Sequence, residues 1–135
     1  MVRVWPAGQA APADLPRQVD VPFGDALRLV GWDIAPLPAR GADWLRLQAA
    51  WRVDAAVVEE LKVSARLLGP DGSVVASQDA TPVHWAYPST AWRRGETVLD
   101  AYDFALPAGA GAKDLTPLLI LYRAADGAEV GRFQP

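Results

Sequence analysis

The residues best suited to chemistry lie between Asp79 and Asp100. This stretch holds the chain's one histidine, His84, three aromatics, Trp85, Tyr87 and Trp92, and a carboxylate at each end. Exposed aromatic faces stack on the CH faces of sugar rings, while their polar edges hydrogen-bond to hydroxyls. Trp85, Tyr87, Trp92 and His84 are therefore the candidate ligand-binding residues. A plainer reading stands beside it, in which Trp92 folds inward to cap the open end of a β-fold and His84 is an ordinary hydrogen-bonded group. Asp79 and Asp100 are candidate metal ligands. Brought together with backbone carbonyls they would hold a calcium ion, and kept apart they would accept hydrogen bonds from loop amides. Asp100 and Asp103 are separated by an odd number of residues on one strand, so they face opposite ways and make no glycosidase pair.

The familiar catalytic templates fail. The chain contains no cysteine, which excludes a thiolate nucleophile, disulfides, and zinc or iron–sulfur centres built on Cys. Ser, His and Asp do not occur in a triad order, and Gly109-Ala110-Gly111 lacks the third glycine and the helix of a dinucleotide loop. No catalytic residue is expected, and no cofactor apart from the calcium considered above. With a formal net charge of −3, and eleven Arg and two Lys spread along the chain with no run longer than Arg93-Arg94, there is no basic field for nucleic acid. The N-terminal Met1-Val2-Arg3-Val4-Trp5-Pro6 lacks a signal peptide's apolar core. No run reaches the ~20 apolar residues of a membrane helix. The 135 residues are expected to be soluble, as one domain without direct membrane insertion.

The elements that must position these residues are strands. Leu45, Leu47, Ala49, Trp51 and Val53 alternate with Arg46, Gln48, Ala50 and Arg52, which predicts a strand with one core face and one wet face. Leu61, Val63, Ala65 and Leu67 repeat the pattern. Val19–Phe23 predicts a strand that Pro22 places at an edge. Leu27–Ile34 predicts the next, with a bulge at Gly31. Gly69-Pro70-Asp71-Gly72-Ser73 is a hairpin turn, in which Gly72 takes a positive φ, and its partner strand is Val74–Gln78. Asp54–Glu60 reads as a polar loop. Thr97–Leu106 is a strand, Leu115–Tyr122 a strongly apolar central strand, and Ala125-Asp126-Gly127-Ala128 a second hairpin turn leading into Glu129–Phe133. Residues 1–18, interrupted by prolines and aperiodic, read as a linker or flexible arm, with the domain proper at 19–135.

About eight strands, turn signals every ten or so residues and no amphipathic helix predict an all-β fold. The expected form is an antiparallel two-sheet β-sandwich of immunoglobulin-like or jelly-roll-like kind, with a closed barrel as the alternative.

The order of several pieces resembles a known family. They are Phe23-Gly24-Asp25-Ala26-Leu27-Arg28-Leu29-Val30-Gly31-Trp32-Asp33, Leu45–Arg52, Leu68-Gly69-Pro70-Asp71-Gly72-Ser73 on to Asp79, Trp92-Arg93-Arg94-Gly95-Glu96-Thr97-Val98-Leu99-Asp100, and Leu121-Tyr122 with Gly127–Phe133. Together they are similar to the C-terminal β-sandwich domain of polytopic bacterial membrane glycosyltransferases. Those enzymes resemble the dolichyl-phosphate-mannose–protein mannosyltransferase type and are common in Chloroflexi-like genomes. The chain departs from that pattern at Gly111–Thr116, where the family has a Gly-x-Tyr start. The resemblance implies a non-catalytic accessory domain on the extracytoplasmic side, tethered to the membrane by a parent chain and contacting that parent or its glycan substrate. The competing expectation is a free-standing carbohydrate-binding module using the loop aromatics.

Overall fold

A computed structural model describes residues 3–5, 15–57, 59–80, 93–107 and 115–135. Among them are nine strands: β1 (Arg3–Trp5), β2 (Arg17–Phe23), β3 (Leu27–Pro36), β4 (Trp44–Val53), β5 (Leu61–Leu68), β6 (Val74–Ala80), β7 (Thr97–Ala105), β8 (Thr116–Arg123) and β9 (Glu129–Phe133). They form two sheets, one in the order β1-β7-β4-β3-β2 and one in the order β6-β5-β8-β9, with every pairing antiparallel. The expected sandwich is the fold.

Alternation decides which side chains meet between the sheets. Leu45, Leu47, Ala49, Trp51 and Val53 of β4 are buried, as are Leu61, Val63, Ala65 and Leu67 of β5 and Val98, Tyr102 and Phe104 of β7. They join Phe23, Leu27, Leu29, Leu119 and Leu121 in one core. Trp51 lies at its centre with no exposed surface, and Phe23 packs edge-on against it with ring centroids 4.9 Å apart.

The bulge falls at the expected glycine. The β3–β4 register shifts between Leu29 and Gly31, so the inward positions switch from Leu27 and Leu29 to Trp32. One extra residue flips the face of everything after it. β8 is buried on both sides. Leu119 and Leu121 enter the main core, while Leu118 and Ile120 form a second cluster with Leu68 on the other face of the sheet. This accounts for the continuous apolar run in that strand, since a strand covered on both faces has no polar alternation.

The organisation differs from expectation near the N-terminus. Within the stretch read as a linker, Arg3–Trp5 pairs with β7 (Arg3 with Leu99, Trp5 with Thr97), and β2 begins at Arg17. Three residues before a proline are too few to reveal a period, and the pairing comes from the edge that β7 offers. Residues 6–14 lie outside the described ones.

Pro22 sits on the edge strand β2, as expected. Along the sandwich sides, β2 approaches β9 and β6 approaches β7. A Cβ at Gly24, whose φ is +67°, would lie 2.7 Å from Val130 Cγ1. On the other side Gln78 Nε2 donates to the carbonyl of Asp103 at 3.3 Å. The turn into β7 is held by Arg93 N donating to Glu96 Oε1 at 2.9 Å, and by Gly95 N donating to Val53 O at 2.7 Å. The Arg93-Arg94-Gly95-Glu96 stretch is thereby tied to the end of β4.

Candidate functional site

Of the residues singled out in the sequence, His84, Trp85, Tyr87 and Trp92 lie outside the described ones. The two carboxylates that bracket them are described, and the structure does not bring them together. Asp79 is an exposed residue of β6 and accepts a hydrogen bond from Tyr122 Oη at 3.0 Å. Burial, and then this neighbouring carboxylate, raise the Tyr122 pKa above the ordinary phenol value. Asp100 is a fully buried residue of β7, opposite Ala49 of β4. It accepts from Tyr102 Oη and, at 2.9 Å, from the Ala101 amide. One carboxylate thus faces solvent from the four-stranded sheet, and the other faces the interior of the five-stranded sheet. The calcium pair considered as one alternative for Asp79 and Asp100 is not brought together, and each accepts hydrogen bonds from its own neighbours. Among the described residues, no group of three or more His, Asp or Glu side chains is placed to hold a metal ion.

Asp103 lies on the opposite face from Asp100, as the odd spacing requires. Arg46 grips it with Nε at 2.8 Å and Nη2 at 3.1 Å, and Arg40 Nη1 adds a third contact at 3.1 Å. Arg40 also lies over the Trp44 ring, 4.4 Å from its centroid. This cluster is internally satisfied.

The described residues do form a cleft that no sequence signal had indicated. The end of β2, the loop after β4 and the β8–β9 hairpin meet at one end of the sandwich around a cavity of about 460 Å³. Its apolar lining joins the buried core residues Phe23, Leu27, Val57 and Leu61 to Ala26, Ala55, Ala56 and Val130. Asp25, Glu59, Arg123 and Glu129 supply its charged groups.

Backbone hydrogen bonds fix this frame. Asp54 N and Ala55 N both donate to Ala26 O, at 2.7 and 3.3 Å, and Ala124 N donates to Glu60 O at 3.0 Å. Arg123 N donates to Ala128 O at 2.9 Å, closing the hairpin.

Arg123 is the centre of the charged rim. Its Nη2 pairs with Asp126 Oδ2 at 3.3 Å, while its Nε is 3.9 Å from Glu59 Oε2, beyond hydrogen-bond reach. The Nε is shielded from solvent and donates no hydrogen bond. Arg132 binds Glu129 through Nη2 at 2.6 Å and Nε at 3.1 Å, and so holds the Glu129 carboxyl below its ordinary pKa. Glu129 therefore presents a firmly ionised acceptor beside the cleft. The described lining groups able to make hydrogen bonds with their side chains are the Asp25, Glu59 and Glu129 carboxylates and the Arg123 guanidinium.

These residues come from three separate connections, which is why spacing along the chain did not reveal them. Residues 80 and 93, which flank the aromatic-rich segment, lie at the same end of the sandwich as the cleft: β6 runs toward it and β7 runs away.

No protein-family model and no curated protein sequence matches the chain. Solved structures with a similar fold include a domain of the outer membrane lipoprotein Omp28 from Porphyromonas gingivalis. The identity is 11%, with 87% of this chain and 92% of that one covered and a TM-score of 0.48. Another is chicken MD-1 complexed with lipid IVa, at 16% identity, 88% and 94% coverage and a TM-score of 0.41. In the chain described here no helix among the described residues is long and apolar enough to cross a membrane.

Proposed function

We propose that the chain is a non-catalytic, extracytoplasmic accessory domain of a polytopic bacterial membrane glycosyltransferase, contacting the parent protein or its glycan substrate. The observation that carries this reading is where the family-like pieces fall. In chain order they occupy the β2–β3 hairpin, strand β4, the β5–β6 hairpin, the entry to β7 and the β8–β9 hairpin. They fall on successive strands and hairpins of one sandwich, and this placement supports a shared domain architecture.

The reading is tested by immunoblotting fractionated source cells with an antibody against this domain. A membrane-fraction band far larger than 14.5 kDa is expected, and a soluble band near 14.5 kDa would overturn the reading.

The end cleft favours a second reading, a free-standing carbohydrate-binding module. Here tryptophan fluorescence should change with oligosaccharides, and Trp85→Ala should abolish that change without lowering stability.

A further inference from the structure

We infer that the cleft at the β2–β3, β4–β5 and β8–β9 end is a saccharide subsite, in which one sugar hydroxyl bridges Arg123 and Glu59. The inference rests on the glycan-contact reading above for the source of the sugar, and on the geometry of the cleft for everything else.

The gap between Arg123 Nε and Glu59 Oε2, 3.9 Å, is too wide for a direct hydrogen bond, and the Nε–H has no acceptor. A buried N–H without a partner is destabilising, so a ligand that supplies an acceptor there binds with an advantage. An anion would satisfy Nε and face Glu59, Glu129 and Asp25. A cation would leave the Nε–H without an acceptor. A hydroxyl both accepts and donates at one oxygen, so it suits both sides of the gap.

The walls then distinguish a sugar from water. Ala26, Ala55, Ala56, Val57 and Val130 give an apolar surface of small side chains, suited to the CH face of a pyranose ring. The ionised Glu129 carboxylate offers an acceptor for a further hydroxyl. A volume of about 460 Å³ falls within the usual span of small-ligand sites, roughly 300–1,000 Å³.

Because Nε is shielded from solvent, access requires a side-chain rotation. The Arg123 side chain is 42% exposed and that of Glu59 48% exposed, so either can turn to admit the hydroxyl at Nε. The backbone around them is already pinned by the Ala26, Glu60 and Ala128 carbonyls, which spares the ordering cost that a loose loop would incur.

The test is a ¹⁵N-resolved NMR titration of the 135-residue chain with methyl α-mannopyranoside and methyl α-glucopyranoside. Methylammonium chloride at matched ionic strength serves as the cationic control. The expected result is movement of the Arg123 Nε–H signal and of the Gly24, Ala26, Ala55, Glu59 and Val130 amides with at least one glycoside, and no movement of Nε–H with methylammonium. Arg123→Lys keeps the charge but removes the Nε–H, and should weaken binding about tenfold. Glu59→Ala, at an exposed loop position, should do the same with the amide spectrum otherwise intact. Unmoved cleft signals at the highest glycoside concentration, shifts confined to another surface, or an equal response to methylammonium would each overturn the inference. Its failure is distinct from that of the tethered-domain reading. A small soluble band on the immunoblot removes the parent enzyme and leaves the titration standing, and a silent titration removes the subsite and leaves the tether.

Discussion

Tyr102 donates its phenolic hydrogen to the carboxylate of Asp100, two residues earlier on β7, and both side chains point into the sandwich interior. Residues two apart on a strand share a face, so the strand supplies a donor to a carboxylate it has itself carried away from water. Burial, and then the Asp100 charge, push the Tyr102 pKa well above the ordinary phenol value.

Removing that donor should be costly. Tyr102→Phe is expected to destabilise the domain by about 2 kcal/mol at neutral pH, because the donor lost is one serving a charged acceptor. Urea unfolding measures this directly, and a loss under 0.5 kcal/mol would show that the pair contributes little.

The same pair sets an alkaline limit. The native pKa of Tyr102 lies above the unfolded value of about 10, so its stabilisation is fully present below pH 10 and is lost as pH rises from there through the native pKa. The urea midpoint should fall above pH 10, and fall less steeply in Tyr102→Phe. Tyr122, also raised, contributes with the same sign, so the double variant with Tyr122→Phe should be flatter still. A wild-type curve with no alkaline fall would contradict the shift.

On the outer face of the same strand, Asp103 has its pKa lowered, first by the Arg46 hydrogen bonds and with a smaller contribution from Arg40. A depressed carboxylate stabilises above its unfolded pKa of about 4, and loses that contribution as pH falls through the native value. Asp103→Asn should therefore cost about 1 kcal/mol at pH 7 and almost nothing near pH 2, when denaturation midpoints are compared at the two pH values. An equal cost at both would mean that packing, and not charge, is what the substitution removes.

Two glycines in the same backbone region separate strain from crowding. Gly24 and Gly72 have φ values of +67° and +83°, but an added Cβ meets Val130 at 2.7 Å in the first case and nothing within 4 Å in the second. Gly72→Ala should cost about 1 kcal/mol, for conformation alone. Gly24→Ala should cost visibly more, because β2 and β9 must also move apart. Thermal melts of the two variants decide it, and equal losses would remove the close approach as a structural constraint.

The tryptophans divide by position. Trp51→Ala should cost about 3–5 kcal/mol, since its side chain is wholly enclosed. Trp44 is half-buried beneath Arg40 at a strand end, and Trp44→Ala should cost under about 1.5 kcal/mol. Comparable losses would mean that the Trp44 end of β4 is as much part of the core as the middle of the strand.

The strands were legible because the physics that sets them is local. Alternation in β4 and β5, the Gly31 bulge, the Asp-Gly turns and the edge proline all express side-chain direction or backbone dihedrals within a few residues. β1 was not legible, because its only warrant is a partner almost a whole chain away. The Asp79–Asp100 pairing failed for a related reason: nearness in a loop diagram says nothing about which face of which sheet a side chain takes. The cleft was hidden most completely. Asp25 and Glu59 lie in two separate connections and Arg123 and Glu129 flank a third, each reading as ordinary polar loop or turn chemistry, and only the meeting of the sheets makes them neighbours.

The sheet order also fixes a timetable. β4 pairs on one side with β3, which follows almost directly before it, and on the other with β7, which arrives only after the whole of β5, β6 and the segment beyond them. β5 likewise waits for β8. During synthesis the β2–β3–β4 meander therefore exists with the open edge of β4, and with Trp51 and its neighbours uncovered on one face, until the last third of the chain emerges. Such late, distant pairing slows folding toward the millisecond-to-second range and leaves a sticky edge in the meantime. The Arg46 and Arg52 side chains, set along that edge-forming strand, give it the charge that discourages a second copy from docking there first.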